Sequence, residues 1–151
     1  MAMNKITLDS WAILAWLQGE SSGRLVKDLL NWPAGDWSAV AAVARSVDIG
    51  PESPELFLSV ASLGEVFYLV GRRFGEAAAR ETVRRIRALP LTIVPAGEAV
   101  VLEAARLMVT GPVSYAGAFA AATAQAANSV LVTGDPGLRA LPALAVHWIG
   151  R

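Results

Sequence analysis

The sequence contains no cysteine, so disulfides and thiolate metal sites are excluded and a reducing compartment is expected. Net charge is absent too: thirteen Lys and Arg balance thirteen Asp and Glu, so no global positive field advertises nucleic acid. Any such role has to come from local charge. No apolar run approaches the ~18 residues of a membrane span. The opening MAMNKITLDSWAILAWL imitates a signal peptide, but Asp9 interrupts its apolar region and no small-residue cleavage site follows. A cytoplasmic protein that does not engage membranes is the expectation. Also missing are a Walker-type phosphate loop, a G-x-G-x-x-G fingerprint and an H-E-x-x-H pair. The one histidine, His147 in AVHWIG, reads as a packed or partly exposed side chain rather than a catalytic one.

What is present belongs to one globular domain. At 151 residues, with 54% hydrophobic and 17% charged residues, the chain is long enough to bury a real core, and part of its apolar surplus is expected to face a partner subunit. A short β-prone run, KITL, leads into a helix through WAILAWLQ, which Asp9 or Ser10 can cap. A second helix is expected from Ser22 to Leu30, followed by an extended helical excursion over about 31–54. There Asp36 or Ser38 can cap AVAAVAR, Pro51 and Pro54 close the segment, and Trp32 and Trp37, if exposed, would form a partner surface. ELFLSV reads as a buried strand running into ASLGEVFYLVGRRF, and a further helix, EAAARETVRRIRAL, stops at Pro90. LTIV is a strand, and GEAVVLEAARLMV is a helix with Val100, Ala104, Leu107 and Met108 on one side. A small-residue helix from Ser114, the strand SVLVTG, a GDPG turn and a last strand near LAVHWI complete the chain.

Short apolar strands alternating with helices predict an α/β fold, a three-layer α/β/α arrangement around a central, mostly parallel sheet. In such sheets function collects at the carboxyl edge, and Asp9 and Asp135 each follow a strand. Both therefore emerge on the same edge. Each also has a plain structural reading, Asp9 as a helix N-cap and Asp135, before Pro136, as a cap-and-first-turn pair. Glu65 adds weight: on its helix Leu63, Val66, Phe67 and Val70 form an apolar stripe while Glu65 lies roughly opposite, without a basic partner at i±3 or i±4. A solvated glutamate is the plain alternative. Clustered oxygen ligands at strand ends suit Mg²⁺ or Mn²⁺, which need neither Cys nor His.

The helix opening SYAGAFAAATA raises a separate question. Ser114 is a good N-cap, yet the position three residues on, where a carboxylate would serve both the capping box and the helix dipole, is Gly117. Glycine inside a helix costs roughly 1 kcal/mol relative to alanine. Close packing in an alanine-rich helix is one account of it.

Taken in order, LDS at Asp9, SVASLGEV at Glu65, SYAxAFAAA and VTGD at Asp135 resemble the PIN-domain ribonucleases, particularly the VapC toxins of bacterial toxin–antitoxin pairs. The likeness covers a single PIN-like domain over 3–151, weakest across the excursion. It implies an endoribonuclease that hydrolyses RNA phosphodiester bonds with Mg²⁺ or Mn²⁺ held by Asp9, Glu65 and Asp135, with Ser10 and Thr133 as supporting hydroxyls. It also implies a cognate VapB-like antitoxin and a tendency to homodimerise. The family's remaining acid falls at position 117, where this chain has glycine, so weak metal binding with little turnover is expected. Two origins fit the glycine, a natural divergence or a disabling substitution, since one base change converts an aspartate codon.

Two other classes stay open. The scaffold would also suit a non-catalytic interaction module in which Asp9 and Asp135 only cap helices and Glu65 is solvated. A phosphoacceptor built on Asp9 fits less well, because Asp9-Ser10-Trp11 lacks a second acid two residues on. The most basic segment carries Arg72, Arg73, Arg80, Arg84, Arg85 and Arg87, and a solvated helix face is a plainer role for it than RNA steering.

Overall fold

A computed structural model describes residues 4–32, 53–142 and 144–150. Five strands, β1 (Lys5–Leu8), β2 (Glu55–Ser59), β3 (Thr92–Val94), β4 (Val130–Thr133) and β5 (Val146–Trp148), form one sheet in the order β3-β2-β1-β4-β5. Every pairing is parallel. Such strands are buried on both faces and need no polar alternation, which is why KITL carries Ile6, Thr7 and Leu8 at zero exposure. The polar member is satisfied, since the Thr7 and Ser129 hydroxyls lie 2.6 Å apart in a buried hydrogen bond.

Helices α1 (Ser10–Leu17), α2 (Arg24–Asn31), α3 (Val60–Phe74), α4 (Glu76–Arg87), α5 (Glu98–Thr110), α6 (Tyr115–Ala126) and the single turn α7 (Pro136–Arg139) surround the sheet. One core joins Ile6, Leu8, Leu58 and Val132 to Ile13 of α1, Leu29 of α2, Val66 of α3 and Ile86 of α4. The second lies across the sheet, where α6 packs with Leu131, Leu107 of α5 and Leu138 of α7. The two cores give the three layers expected from the alternation of strands and helices.

Helix α6 shows why its composition is so small. Every residue from Gly117 to Ala124 is buried, so the middle of the helix has no solvent face and its alanines let it lie close to the sheet and to α5. Gly75 joins α3 to α4 at φ +96°, a left-handed conformation that favours glycine.

The GDPG segment follows the cap-and-first-turn reading: Asp135 caps α7, with Pro136 in its first turn. Other expectations change. Trp32 is 6% exposed and belongs to the first core, so it offers no partner surface. Met108 does not join Ala104 and Leu107 inside but stands 39% exposed. Trp37 and the helix expected through AVAAVAR lie outside the described residues, as does most of the excursion.

Candidate active site

Strand order creates the site. From β1 the chain crosses to β2 and β3 on one side, while β4 and β5 lie on the other, so the crevice at the carboxyl ends falls between β1 and β4. Register then fixes who meets whom. Leu8 pairs with Val132, and the next residues, Asp9 and Thr133, come level with each other.

Asp9 caps α1, with Oδ1 accepting from the Ala12 N–H at 2.8 Å. Its other oxygen, Oδ2, accepts from the Thr133 hydroxyl. That hydroxyl in turn accepts from the Asp135 N–H at 3.0 Å, so one buried hydroxyl ties the two strand ends together and its proton is directed at Asp9. The carboxyl of Asp9 is 3% exposed, and its pKa is pushed up from 3.8 to about 7. Burial is the main cause. The hydrogen bonds from Thr133 and Ala12 act against it, while the nearby carboxylates of Asp135 and Glu65 add to it. Asp9 therefore feels both of the other acids at this edge.

Glu65 arrives from the second turn of α3, which starts directly at the end of β2. It is half-buried, and its Oε1 accepts from the Ser10 hydroxyl at 2.8 Å. Asp135 caps α7 through Oδ1, which accepts from the Gly137 N–H at 2.9 Å. Its second oxygen faces position 117. A Cβ placed on Gly117 would lie 3.4 Å from Asp135 Oδ2, 3.4 Å from Val113 Cγ1 and 2.9 Å from Ser114 Oγ. The Ser114 hydroxyl accepts from the Gly117 N–H at 3.1 Å, so the helix is capped as expected, but nothing reaches back from Gly117. A side chain there would enter the acidic edge.

A divalent cation needs several oxygens converging on one point. Here both oxygens of Asp9 and one each of Glu65 and Asp135 already accept hydrogen bonds. Among the described residues no three Asp, Glu or His side chains stand close enough to hold an ion together. The three carboxylates therefore line one edge without closing around a single point. What it provides is an acid-rich crevice in which Asp9 is easily protonated and one flank, at residue 117, carries no side chain.

The remaining residues of interest fall outside the crevice. Arg80 pairs with Glu76 at 2.9 Å and Arg84 with Glu81 at 2.5 Å on the exposed face of α4, the solvated arrangement expected for that segment. Arg72, Arg73 and Arg85 lie over the rings of Tyr68, Phe74 and Trp16. His147, on β5, is half-buried, and burial holds its imidazole below the usual pKa. Sequence reasoning missed Gly134, which separates Thr133 from Asp135. A Cβ there would come within 2.6 Å of the Trp11 indole, so the glycine in VTGD is the one signal that a ring lies against this strand end.

The sequence and the fold match a known family. The PIN domain model matches residues 6–144, and the chain belongs to the PIN-domain family. Nucleases with this domain generally use divalent metal ions. No curated protein sequence gives a significant match. Solved structures do. VapBC2 from Rickettsia felis, bound to a DNA fragment from its promoter, has a chain that is 14% identical with a TM-score of 0.64, over 94% of this chain and 96% of that one. DNA-bound VapBC from Salmonella typhimurium gives 13% identity and a TM-score of 0.64, over 97% and 99%. VapC20 of Mycobacterium tuberculosis, described as a sarcin-ricin loop cleaving toxin, is 17% identical with a TM-score of 0.61, over 89% and 93%. At these identities the likeness is one of fold.

Proposed function

We propose that the chain is a VapC-like toxin component of a toxin–antitoxin pair, an endoribonuclease by lineage that depends on Mg²⁺ or Mn²⁺ and has little turnover in this form. Asp9, Glu65 and Asp135 are the metal-binding and catalytic acids of this reading, with Ser10 and Thr133 orienting Glu65 and Asp9. RNA is the substrate, a VapB-like antitoxin the partner, a homodimer the assembly and the cytoplasm the compartment. The fold neighbours support the partner by analogy, since two of them are VapBC complexes.

One observation carries the reading of activity. Position 117 is the gap in the acidic edge, and a side chain there would begin 3.4 Å from an Asp135 oxygen. Hydrolysis of a phosphodiester needs an activated water and neutralisation of charge building on the phosphoryl oxygens, which metal-dependent nucleases obtain from carboxylate-held cations. With one carboxylate missing, cation affinity falls first and rate falls with it. Cleavage of an RNA pool by this chain and by Gly117→Asp, each in Mg²⁺ and in EDTA, tests the reading. Little cleavage by the parent and a metal-dependent gain in Gly117→Asp are expected. Equal activity in both would remove position 117 from the account.

A second reading, a PIN-like interaction module without catalysis, is favoured by the absence of a converging three-acid set among the described residues. Calorimetric titration with Mn²⁺ separates the two. Binding that vanishes in Asp9→Asn supports the nuclease lineage, whereas no binding even after Gly117→Asp supports the module.

A further inference from the structure

Beside the acidic crevice lies an open cleft of about 520 Å³, within the ~300–1,000 Å³ typical of ligand sites. Its walls include two indoles, Trp11 from the first turn of α1 and Trp148 from the end of β5, with Gly134 and Pro136 beside them. Gln18 and Glu20 from the far end of α1 and the turn after it complete the rim. Both rings are partly exposed, although each is large and apolar.

Three details show that the rings are seated. A Cβ on Gly134 would lie 2.6 Å from each of Cε2, Cζ2 and Cη2 of Trp11, so that indole rests directly on the glycine backbone. Trp148 lies against Gly150 in the same way, and a Cβ on Gly150 would come 3.0 Å from the Gly134 carbonyl oxygen. The two rings thus share one glycine-lined floor, where the Ile149 N–H donates to the Thr133 carbonyl at 2.9 Å and joins the strand ends. Finally, the exposed Arg139 lies over the Trp148 ring, its guanidinium carbon 4.6 Å from the ring centre, so a cation is stacked on an aromatic wall.

Held aromatic rings, one with an arginine stacked over it, are what a single-stranded nucleic acid needs: bases stack on rings and on guanidinium planes, and the cation meets the backbone. Resting on the ribonuclease reading above, we infer that this cleft is a subsite for one unpaired nucleobase next to the phosphate presented to the acids. The floor residue Gly134 lies between Thr133 and Asp135, so a base stacked here has its own backbone at the acidic edge. Gln18 and Glu20 present hydrogen-bonding groups to the edge of that base, while Arg139 takes a flanking phosphate.

The test is binding of fluorescein-labelled homopolymeric hexaribonucleotides to the full chain, followed by anisotropy in Mg²⁺ and again in EDTA. Trp148→Leu keeps an apolar side chain in place but removes the π-face, and Trp148→Phe restores a face. Loss of one stacked base weakens binding about 5- to 150-fold, so Trp148→Leu is expected in that range and Trp148→Phe within about threefold of the parent. Arg139→Gln, at an exposed position, is expected to weaken all four oligonucleotides alike and to flatten the salt dependence by about one phosphate contact. RNA bound equally by the parent and Trp148→Leu would overturn the subsite and leave the ribonuclease reading standing. A chain that binds none of the four, in either condition, would overturn both.

Discussion

Gly117 and Asp135 face each other across the crevice: a Cβ on the glycine would stand 3.4 Å from Oδ2 of the aspartate. The geometry turns a question of helix propensity into one of charge. Placing a carboxylate at 117 adds an acid at the third residue of α6, where the helix dipole favours it by about 0.3–1 kcal/mol and the loss of glycine adds roughly 1 more. Against this stand the charge of Asp135 and a 2.9 Å approach to Ser114 Oγ, which has to shift by a few tenths of an ångström.

Two variants therefore separate propensity from site. Gly117→Ala is expected to gain less than about 1 kcal/mol in urea denaturation and to respond to Mn²⁺ as the parent does. Gly117→Asp is expected to be no more stable than Gly117→Ala without metal, because of repulsion, and to gain several degrees in melting temperature with Mn²⁺. A Gly117→Asp protein that ignores Mn²⁺ would sink the idea that 117 completes a metal site.

Much of this edge was legible in the sequence. Asp9 and Asp135 each follow an apolar strand, and a parallel sheet sends all such residues to one side, whatever the strand order. The cap signals at Asp9, Ser114 and Asp135 were equally local, since each rests on a short polar side chain before a helix. What could not be read was lateral. That Thr133 stands level with Asp9 depends on β4 pairing with β1, a relation between residues 124 positions apart that no periodicity encodes. The Trp11–Gly134 contact has the same character, and so does the burial of Trp32, which the packing of α2 decides.

The pKa of Asp9 makes stability depend on pH with a definite sign. Its folded value, about 7, lies above the ordinary 3.8, so the folded state holds a proton that the unfolded state releases. The contribution is fully present below pH ~4, falls as pH rises, and is lost once pH passes ~7, by on the order of 1.4 kcal/mol per pH unit in between. His147 acts oppositely. Burial lowers its pKa, so protonation on acidification costs stability below its ordinary 6.5. Subtracting the denaturation curve of Asp9→Asn from that of the parent isolates the first effect. The asparagine variant, a comparable cap, is expected to be the more stable protein at pH 8 and to lose that advantage by pH 4. Parallel curves would show that Asp9 is not held protonated.

Thr133 is the joint between the strand ends. Its hydroxyl accepts from the Asp135 N–H and donates to Asp9, and both partners lose it together in Thr133→Val, a change of similar volume. A buried carboxyl oxygen left without a donor costs about 1–3 kcal/mol, more when it is charged. Thr133→Val is therefore expected to lose that much in urea denaturation at pH 8, and less at pH 5, where Asp9 carries a proton. Thr133→Ser keeps the hydroxyl and is expected to recover most of the loss. If valine and serine behave alike, the hydroxyl is incidental.

Asp135 allows the capping role and the charge to be measured separately. As the N-cap of α7 it accepts from the Gly137 N–H at 2.9 Å, a task asparagine performs about as well as aspartate and alanine does not perform at all. Asp135→Ala is thus expected to cost roughly 1 kcal/mol, and Asp135→Asn a few tenths. The negative charge, by contrast, disappears equally in both. If Asp135 is there only to start a helical turn, RNA cleavage and Mn²⁺ binding in the Gly117→Asp background survive in Asp135→Asn and suffer only through instability in Asp135→Ala. If its carboxylate helps to hold a cation, both substitutions abolish Mn²⁺ binding to the same extent while only alanine lowers the melting temperature. The second pattern is expected, because Asp135 spends one oxygen on the cap and its other, Oδ2, faces position 117.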